Sequence, residues 1–79
     1  MYLSYMTAAE GGLYVERESG LTSKRSGMAL DITVDQLLSW VNDGVLAQFA
    51  FPHLTPEERE FIITGMSLEE QRNVWPAAN

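Results

Sequence analysis

The sequence predicts an α+β fold: a short antiparallel sheet of two or three strands from the N-terminal half, packed against three short C-terminal helices. Two observations support this prediction. Segments of strand-forming residues alternate with dipeptides typical of turns through the first 30 positions. From residue 32 onward, three motifs typical of helix starts follow one another, and a glycine follows two of the helices that they predict.

Three segments of the N-terminal half have the composition of strands: residues 2–6, 13–17 and 28–32. Gly11-Gly12 is predicted to break the chain after the first segment, and turns are predicted at Ser19-Gly20 and Ser26-Gly27. In the last segment apolar and small or polar residues alternate, as they do in a half-buried strand. Residues 1–10 fit either the first strand or a flexible or partly helical arm.

The first helix is predicted over residues 34–43. Thr33 and Gln36 have the spacing of a capping box, in which each side chain binds the backbone N–H of the other. Four apolar residues follow helical spacing and predict one buried face: Val34, Leu37, Leu38 and Val41. Trp40 flanks that face, and Gly44 stands where a left-handed residue commonly ends a helix.

The segment 45–51 is apolar and fits either a helical turn or an extended connector, which Pro52 must end. Thr55-Pro-Glu-Glu58 then predicts a second helix by capping box, with proline at the first helical position. Phe61 and Ile62 are its predicted buried residues, and Gly65 its end.

Ser67-Leu-Glu-Glu70 predicts the third helix by another capping box. Leu68 and Trp75 are its predicted apolar contacts, and Pro76 closes it.

Length and composition indicate one small domain over residues 1–79, best defined over 24–75. The chain has no cysteine, which excludes disulfides and thiolate metal sites. No apolar run approaches the roughly 20 residues of a membrane span, and the first residues lack the basic region of a signal peptide. We therefore expect a soluble intracellular protein with no membrane partner.

The net charge of −6 is unevenly distributed. Residues 1–30 carry three acidic and three basic side chains, whereas residues 31–79 carry eight acidic and two basic ones. An acidic half repels phosphate groups and favours either a well-solvated surface or a basic protein partner.

Catalytic chemistry is not indicated. His53, the single histidine, lacks the positioned acid or nucleophile that general-base catalysis requires, so we interpret it as a loop residue that packs on nearby backbone or bonds to it. Most of the glutamates that could mimic a catalytic pair stand at helix starts. We therefore expect a protein that is not an enzyme and has no cofactor and no metal site.

The stretch from Leu54 to Glu70 also resembles the first part of a helix-turn-helix. Glu69 and Glu70 make the helix after the turn acidic, and the chain ends where a recognition helix would follow. Direct nucleic-acid binding, as by a small regulator, is therefore disfavoured.

One block of the sequence resembles small uncharacterised proteins of bacteriophages, especially microvirus-type phages with single-stranded DNA. The resemblance covers about residues 24–72 and is carried by Arg25-Ser-Gly27, by Trp40 and Gly44, and by Gln48-x-Ala50-Phe-Pro-x-Leu-Thr-Pro-Glu-Glu-Arg-Glu-Phe61 with Thr64-Gly65. It implies a phage-encoded protein of the host cytoplasm and brings no established activity. Small acidic phage proteins without cysteine often bind one host protein or nucleoprotein, as anti-CRISPR proteins and other inhibitors of host defence do.

We therefore expect an interaction module that binds a basic host or phage protein, acting as an inhibitor of a host defence complex. Its predicted contact residues are mainly acidic: Asp35, Asp43, Gln48, His53, Glu57, Glu58 and Glu60. One or two exposed aromatic side chains would anchor the partner. A minor structural or scaffolding protein of a phage particle is the alternative. A homodimer is also compatible with the sequence, because it would cover aromatic side chains that a small monomer leaves exposed.

Overall fold

A computed structural model describes residues 2–75. Three strands are followed by four helices, in this order: β1 (Leu3–Thr7), β2 (Leu13–Glu18), β3 (Arg25–Leu30), α1 (Val34–Asp43), α2 (Ala47–Ala50), α3 (Pro56–Thr64) and α4 (Leu68–Val74). This arrangement confirms the predicted α+β class. Pro76, predicted to close the last helix, lies outside the described residues.

The sheet is antiparallel throughout, with strand order β1-β2-β3. Tyr5 of β1 stands opposite Val15 of β2, which stands opposite Met28 of β3. On β2, Leu13, Val15 and Arg17 are buried and alternate with more exposed residues, so the helices cover this face. Residues 1–10 were expected to form either a strand or an arm, and a strand is formed over Leu3–Thr7.

The predicted turn at Ser26-Gly27 is wrong, because both residues lie inside β3. The turn predicted at Ser19-Gly20 is formed: the chain turns between β2 and β3 through residues 19–24, where the Ser19 hydroxyl accepts hydrogen bonds from the N–H groups of Leu21 and Thr22. Glycine is needed at position 27 for a different reason. A Cβ there would collide with the Tyr14 ring, which lies across β3 on the uncovered face of the sheet.

All three predicted capping boxes are formed, at Thr33, Thr55 and Ser67. At Thr33, for example, the hydroxyl accepts from the Gln36 N–H at 3.1 Å and the Gln36 side chain accepts from the Thr33 N–H at 3.0 Å. Gly44 and Gly65 have φ of 71° and 78°, as predicted for left-handed residues that end helices.

The predicted buried face of α1 is largely wrong. Leu37 is fully buried, but Val34, Leu38 and Val41 are exposed. The helix packs through its Leu37 and Trp40 side, where the Trp40 ring lies 6.4 Å from the Phe51 ring. Helical periodicity identified an apolar arc wider than the part that the small core can cover.

The ambiguous segment before Pro52 forms a short helix, α2, so the structure has four helices where the sequence predicted three. Ala47 and Ala50 are buried, whereas Phe49 between them is 68% exposed. With Phe51, Phe61, Ile62, Leu37 and Val15 the alanines belong to one apolar core. The predicted burial of Phe61 and Ile62 is confirmed.

Arg17 joins the sheet to the helices. It is 4% exposed, and its guanidinium donates hydrogen bonds to the carbonyls of Ile62 (2.8 Å), Ile63 (3.0 Å) and Tyr2 (2.6 Å). Ile62 and Ile63 belong to the last turn of α3, whose carbonyls have no partner within the helix. The cation therefore also complements the negative end of the helix dipole.

The other two carbonyls of that turn are satisfied nearby. The Thr64 carbonyl accepts from the Gly20 N–H at 2.9 Å, and the Phe61 carbonyl accepts from the Gly65 N–H at 2.7 Å. Burial lowers the pKa of Arg17, but an arginine keeps its proton in proteins, so the group is a buried cation bound by carbonyl dipoles. We call this arrangement the Arg17 junction.

Candidate interaction surface

An open groove of about 820 Å³ lies where the start of α3, the helix α4 and strand β3 meet. We call it the acidic groove. Its lining residues are Met28, Thr55, Pro56, Glu57, Glu58, Glu60, Leu68, Gln71, Arg72 and Trp75. Three carboxylates and one guanidinium among them give the groove a negative balance, and its remaining surface is mainly apolar.

The carboxylates of the groove come from the first turns of α3. Thr55 and Pro56 begin this helix, so the two glutamates that follow lie at its positive end. Glu58 is engaged in the capping box: its carboxylate accepts from the Thr55 N–H at 2.9 Å. Glu57 is exposed and Glu60 is half-buried, so these two are better placed to meet a partner.

The apolar part of the groove comes from β3 and α4. Met28 is half-buried beside the core, Leu68 is exposed, and Trp75 is 55% exposed at the end of α4. Leu68 and Trp75 were predicted as the contacts that pack the last helix, and that prediction is wrong. Gln71, which is buried, fixes α4 instead.

The Gln71 side chain connects α4 to α3. Its amide Nε2 donates to the carbonyl of Glu57 at 3.0 Å and to the carbonyl of Met66 at 3.0 Å. The N–H of Trp75 in turn donates to the Gln71 carbonyl at 2.7 Å. Gln71 therefore links the two elements: its side-chain amide binds the acidic turn of α3, and its backbone carbonyl binds the N–H of Trp75 at the end of α4.

Glu70 connects α4 to the turn between β2 and β3. One carboxylate oxygen accepts from the Thr22 hydroxyl, and the other accepts from the Ser67 N–H at 3.2 Å. The Thr22 hydrogen bond is the largest of several contributions that lower the pKa of Glu70. The start of α4 is therefore attached to the turn between β2 and β3 as well as to α3.

Trp75 and Glu60 also line a second groove, of about 860 Å³, on the side of the Arg17 junction. Its apolar residues include Tyr2, Leu21, Ile63 and Val74. The same tryptophan is thus accessible from two adjoining depressions, which enlarges the surface that one partner could cover around it.

The structure brings three of the predicted contact residues, Glu57, Glu58 and Glu60, to the acidic groove. The other four do not line it. Asp35 and Asp43 are exposed in the first and last turns of α1, Gln48 is exposed on α2, and His53 is exposed in the loop before α3.

The His53 ring bonds to the backbone, as the sequence interpretation proposed. Its Nε2 contacts the carbonyl of Asp31 and donates to it in the tautomer protonated there. This contact ties the loop before α3 to the end of β3. Within residues 2–75, no group of three or more histidine or acidic side chains is arranged to hold a metal ion.

Two of the five aromatic side chains of the helical half are well exposed. Phe51 and Phe61 are fully buried and Trp40 is half-buried, whereas Phe49 and Trp75 are exposed. The expectation of one or two exposed aromatic residues thus points to Phe49 and Trp75. Only Trp75 lies beside the acidic residues of the groove.

The contributions of Met28 and Gln71 to this surface are not predicted by the sequence. Strand alternation indicated only that Met28 faces the core side of the sheet, and it could not place the residue beside α3. Gln71 carries no local signal, because its role depends on carbonyls of another helix and of a loop.

Comparison of the chain with protein-family models, with curated proteins and with solved structures found no match. Among residues 2–75, none of the helices has the length and apolar character that a membrane span requires.

Proposed function

We propose that this protein is a non-enzymatic interaction module that binds a basic protein through the acidic groove. One observation carries the proposal: the exposed Trp75 lies in the same groove as Glu57, Glu58 and Glu60. Tryptophan is among the commonest energetic anchors of protein interfaces, and the neighbouring carboxylates select the charge of the partner.

The groove fits a segment that combines a lysine or arginine with an apolar side chain. The apolar side chain would cover Trp75, Leu68 and Met28, and the basic one would pair with Glu57 or Glu60. Because these carboxylates are accessible to water, each ion pair would contribute modestly, and the larger gain would come from burial of the tryptophan. The net charge of −6 would accelerate the encounter with a basic surface.

We further propose that the partner belongs to a host defence complex, which the protein inhibits as a phage-encoded protein of the host cytoplasm. The sequence resemblance to small phage proteins supports this setting, and the acidic groove supports competition for a surface that otherwise binds nucleic acid.

A structural or scaffolding role in a phage particle is the second candidate. Exposed apolar residues outside the acidic groove favour it, because Phe49 and Leu46 on and before α2 are both well exposed. A particle component would purify with the particles, whereas an inhibitor would be absent from them.

Affinity capture from infected host lysate, followed by mass spectrometry, tests the main proposal when three baits are compared. They are the wild type, the groove variant Glu57→Lys/Glu60→Lys, and the control variant Asp35→Lys/Asp43→Lys. Both variants change the net charge equally, but only the first alters the groove.

We expect the wild type and the control to capture a basic protein that the groove variant does not capture. Circular dichroism must show that all three baits are folded. A set of captured proteins that is identical for the three baits would overturn the proposal.

A further inference from the structure

Strand β1 leaves one edge of the sheet open. In the described chain it pairs with β2 on one side, and no strand lies on the other. Its residues Leu3-Ser-Tyr-Met-Thr7 include no charged residue and no proline. Edge strands of natural proteins are usually protected against pairing by such residues, by bulges or by a covering element.

Three of the five side chains of β1 are also exposed, those of Tyr5, Met6 and Thr7. Tyr5, on the face of the sheet that the helices cover, is 41% exposed. Met6, on the opposite face, is 64% exposed. The other edge strand, β3, begins with Arg25, which lies 4.0 Å from Glu18 and stacks on the Tyr2 ring. Of the two edges, β1 therefore offers the uncharged one.

Charge distribution indicates which partner this edge fits. Residues 1–30, which contain the sheet, have no net charge, and the whole −6 lies in residues 31–79. Two copies of the chain would repel each other through their helical halves and would not do so through their sheets. An uncharged strand also pairs with itself without placing like charges opposite each other.

We propose that β1 pairs antiparallel with β1 of a second copy, which forms a twofold symmetric dimer with one continuous sheet. Full overlap of the strand about the twofold axis places Tyr5 opposite the Tyr5 of the other copy, and Ser4 opposite Met6. Such an interface is isologous and closes on itself, so it yields a dimer and not a fibre.

This dimer goes beyond the proposed function. Met28 of β3 lines the acidic groove, and β3 is at the edge of the sheet opposite β1. Pairing through β1 therefore leaves the acidic groove of each copy accessible. A dimer would present two binding surfaces, which strengthens attachment to a partner that carries repeated sites.

Analytical ultracentrifugation of the full chain over about a hundredfold range of concentration tests the proposal. The wild type should shift from a mass of 8.9 kDa towards twice that value. Tyr5→Lys and Tyr5→Glu should each remain monomeric, because each places like charges opposite each other across the axis. An equimolar mixture of the two should form a dimer again, because opposite charges then face each other.

A second variant and a control complete the experiment. Ser4→Lys/Met6→Lys places lysines opposite each other on the face that no helix covers, and it too should be monomeric. Leu21→Lys, in the exposed turn between β2 and β3, should associate as the wild type does. Circular dichroism identifies any variant that has not folded.

A monomeric wild type at every concentration would overturn the proposal. Folded Tyr5 and Ser4/Met6 variants that associate as the wild type does would also overturn it, because association would then use β3 or the helices.

Discussion

The sheet half and the helical half of this molecule differ in net charge and in where their charged side chains lie. In the sheet half, acidic and basic residues balance, Arg17 is buried at the junction with α3, and Arg25 lies beside Glu18. In the helical half, acidic residues exceed basic ones by six, and Glu57 and Glu60 line an open groove. In the sheet half, the buried charge of Arg17 stabilises the fold. In the helical half, some carboxylates cap helices, as Glu58 does, and the surplus negative charge includes Glu57 and Glu60 on the open groove.

The two ends of α3 differ in where their hydrogen-bond partners lie in the sequence. At its start, Thr55 and Glu58 satisfy each other within four consecutive residues. At its end, Gly65 satisfies one carbonyl locally, but the other three depend on Arg17 and Gly20, which are far away in the sequence. The start is therefore stabilised locally, whereas the end is fully stabilised only when the sheet half is folded against it.

Arg17→Met should give the largest loss of stability, about 3 kcal/mol, because it leaves carbonyls of Ile62, Ile63 and Tyr2 without their donor. Unfolding in urea, followed by circular dichroism, measures the free energy. Arg25→Met is the control and should cost less than about 1 kcal/mol, because its ion pair and its cation–π contact are exposed. Equal losses in the two variants would show that the two halves do not depend on the Arg17 junction.

Gly65→Ala should cost about 2 kcal/mol or more, and Gly44→Ala about 1 kcal/mol. Both glycines have left-handed φ angles. A Cβ at position 65 would in addition collide with the carbonyl of Glu18, whereas position 44 has open space around it. Thermal unfolding of the two variants isolates the contact between the halves, and a larger loss at Gly44 would contradict the described packing.

Thr55→Ala should cost about 1 kcal/mol, because the helix start loses a capping oxygen. Thr55→Ser is the matched control and should retain most of the stability, because serine keeps the hydroxyl that accepts from the Glu58 N–H. Urea unfolding measures both variants. A loss in the alanine variant as large as that of Arg17→Met would mean that α3 depends as strongly on its local start as on the sheet.

Thr22→Val should have the smallest effect, and the effect should depend on pH. The variant removes the hydroxyl that contributes most to the lowered pKa of Glu70, so that pKa should rise towards its ordinary value of 4.5. A carboxylate with a lowered pKa stabilises the fold above its unfolded pKa and loses that contribution as the pH falls through its folded pKa.

The wild type should therefore exceed Thr22→Val in stability at neutral pH, and the difference should shrink on acidification below about 4.5. NMR titration of the Glu70 carboxyl, together with unfolding at several pH values, measures both effects. A pKa of Glu70 that is the same in both proteins would show that the Thr22 hydrogen bond has no influence in solution.

Features of this structure that rest on residues close in the sequence could be predicted, and features that rest on tertiary contacts could not. Helix starts at Thr33, Thr55 and Ser67 could be predicted because their hydrogen bonds form within four consecutive residues. The roles of Arg17 and Gly27 could not, because each depends on a residue brought close only by tertiary folding.

The candidate site was predictable to a similar extent. The acidic residues of α3 were identified from their positions in the sequence, and three of them share the groove. The groove itself was not predicted, since it depends on how Gln71 fixes α4 beside α3. The exposed stripe of α1 was mistaken for core because periodicity reports an apolar face and not what covers it.

Calorimetric titration of a captured basic partner most directly tests whether binding uses the acidic groove. Three proteins are compared: the wild type, Glu57→Lys/Glu60→Lys and Asp35→Lys/Asp43→Lys. The groove variant should bind at least about tenfold more weakly than the wild type, and the control should bind within about threefold of it. Equal affinities of the groove and control variants would contradict the central claim, because the partner would then respond to net charge and not to the acidic groove.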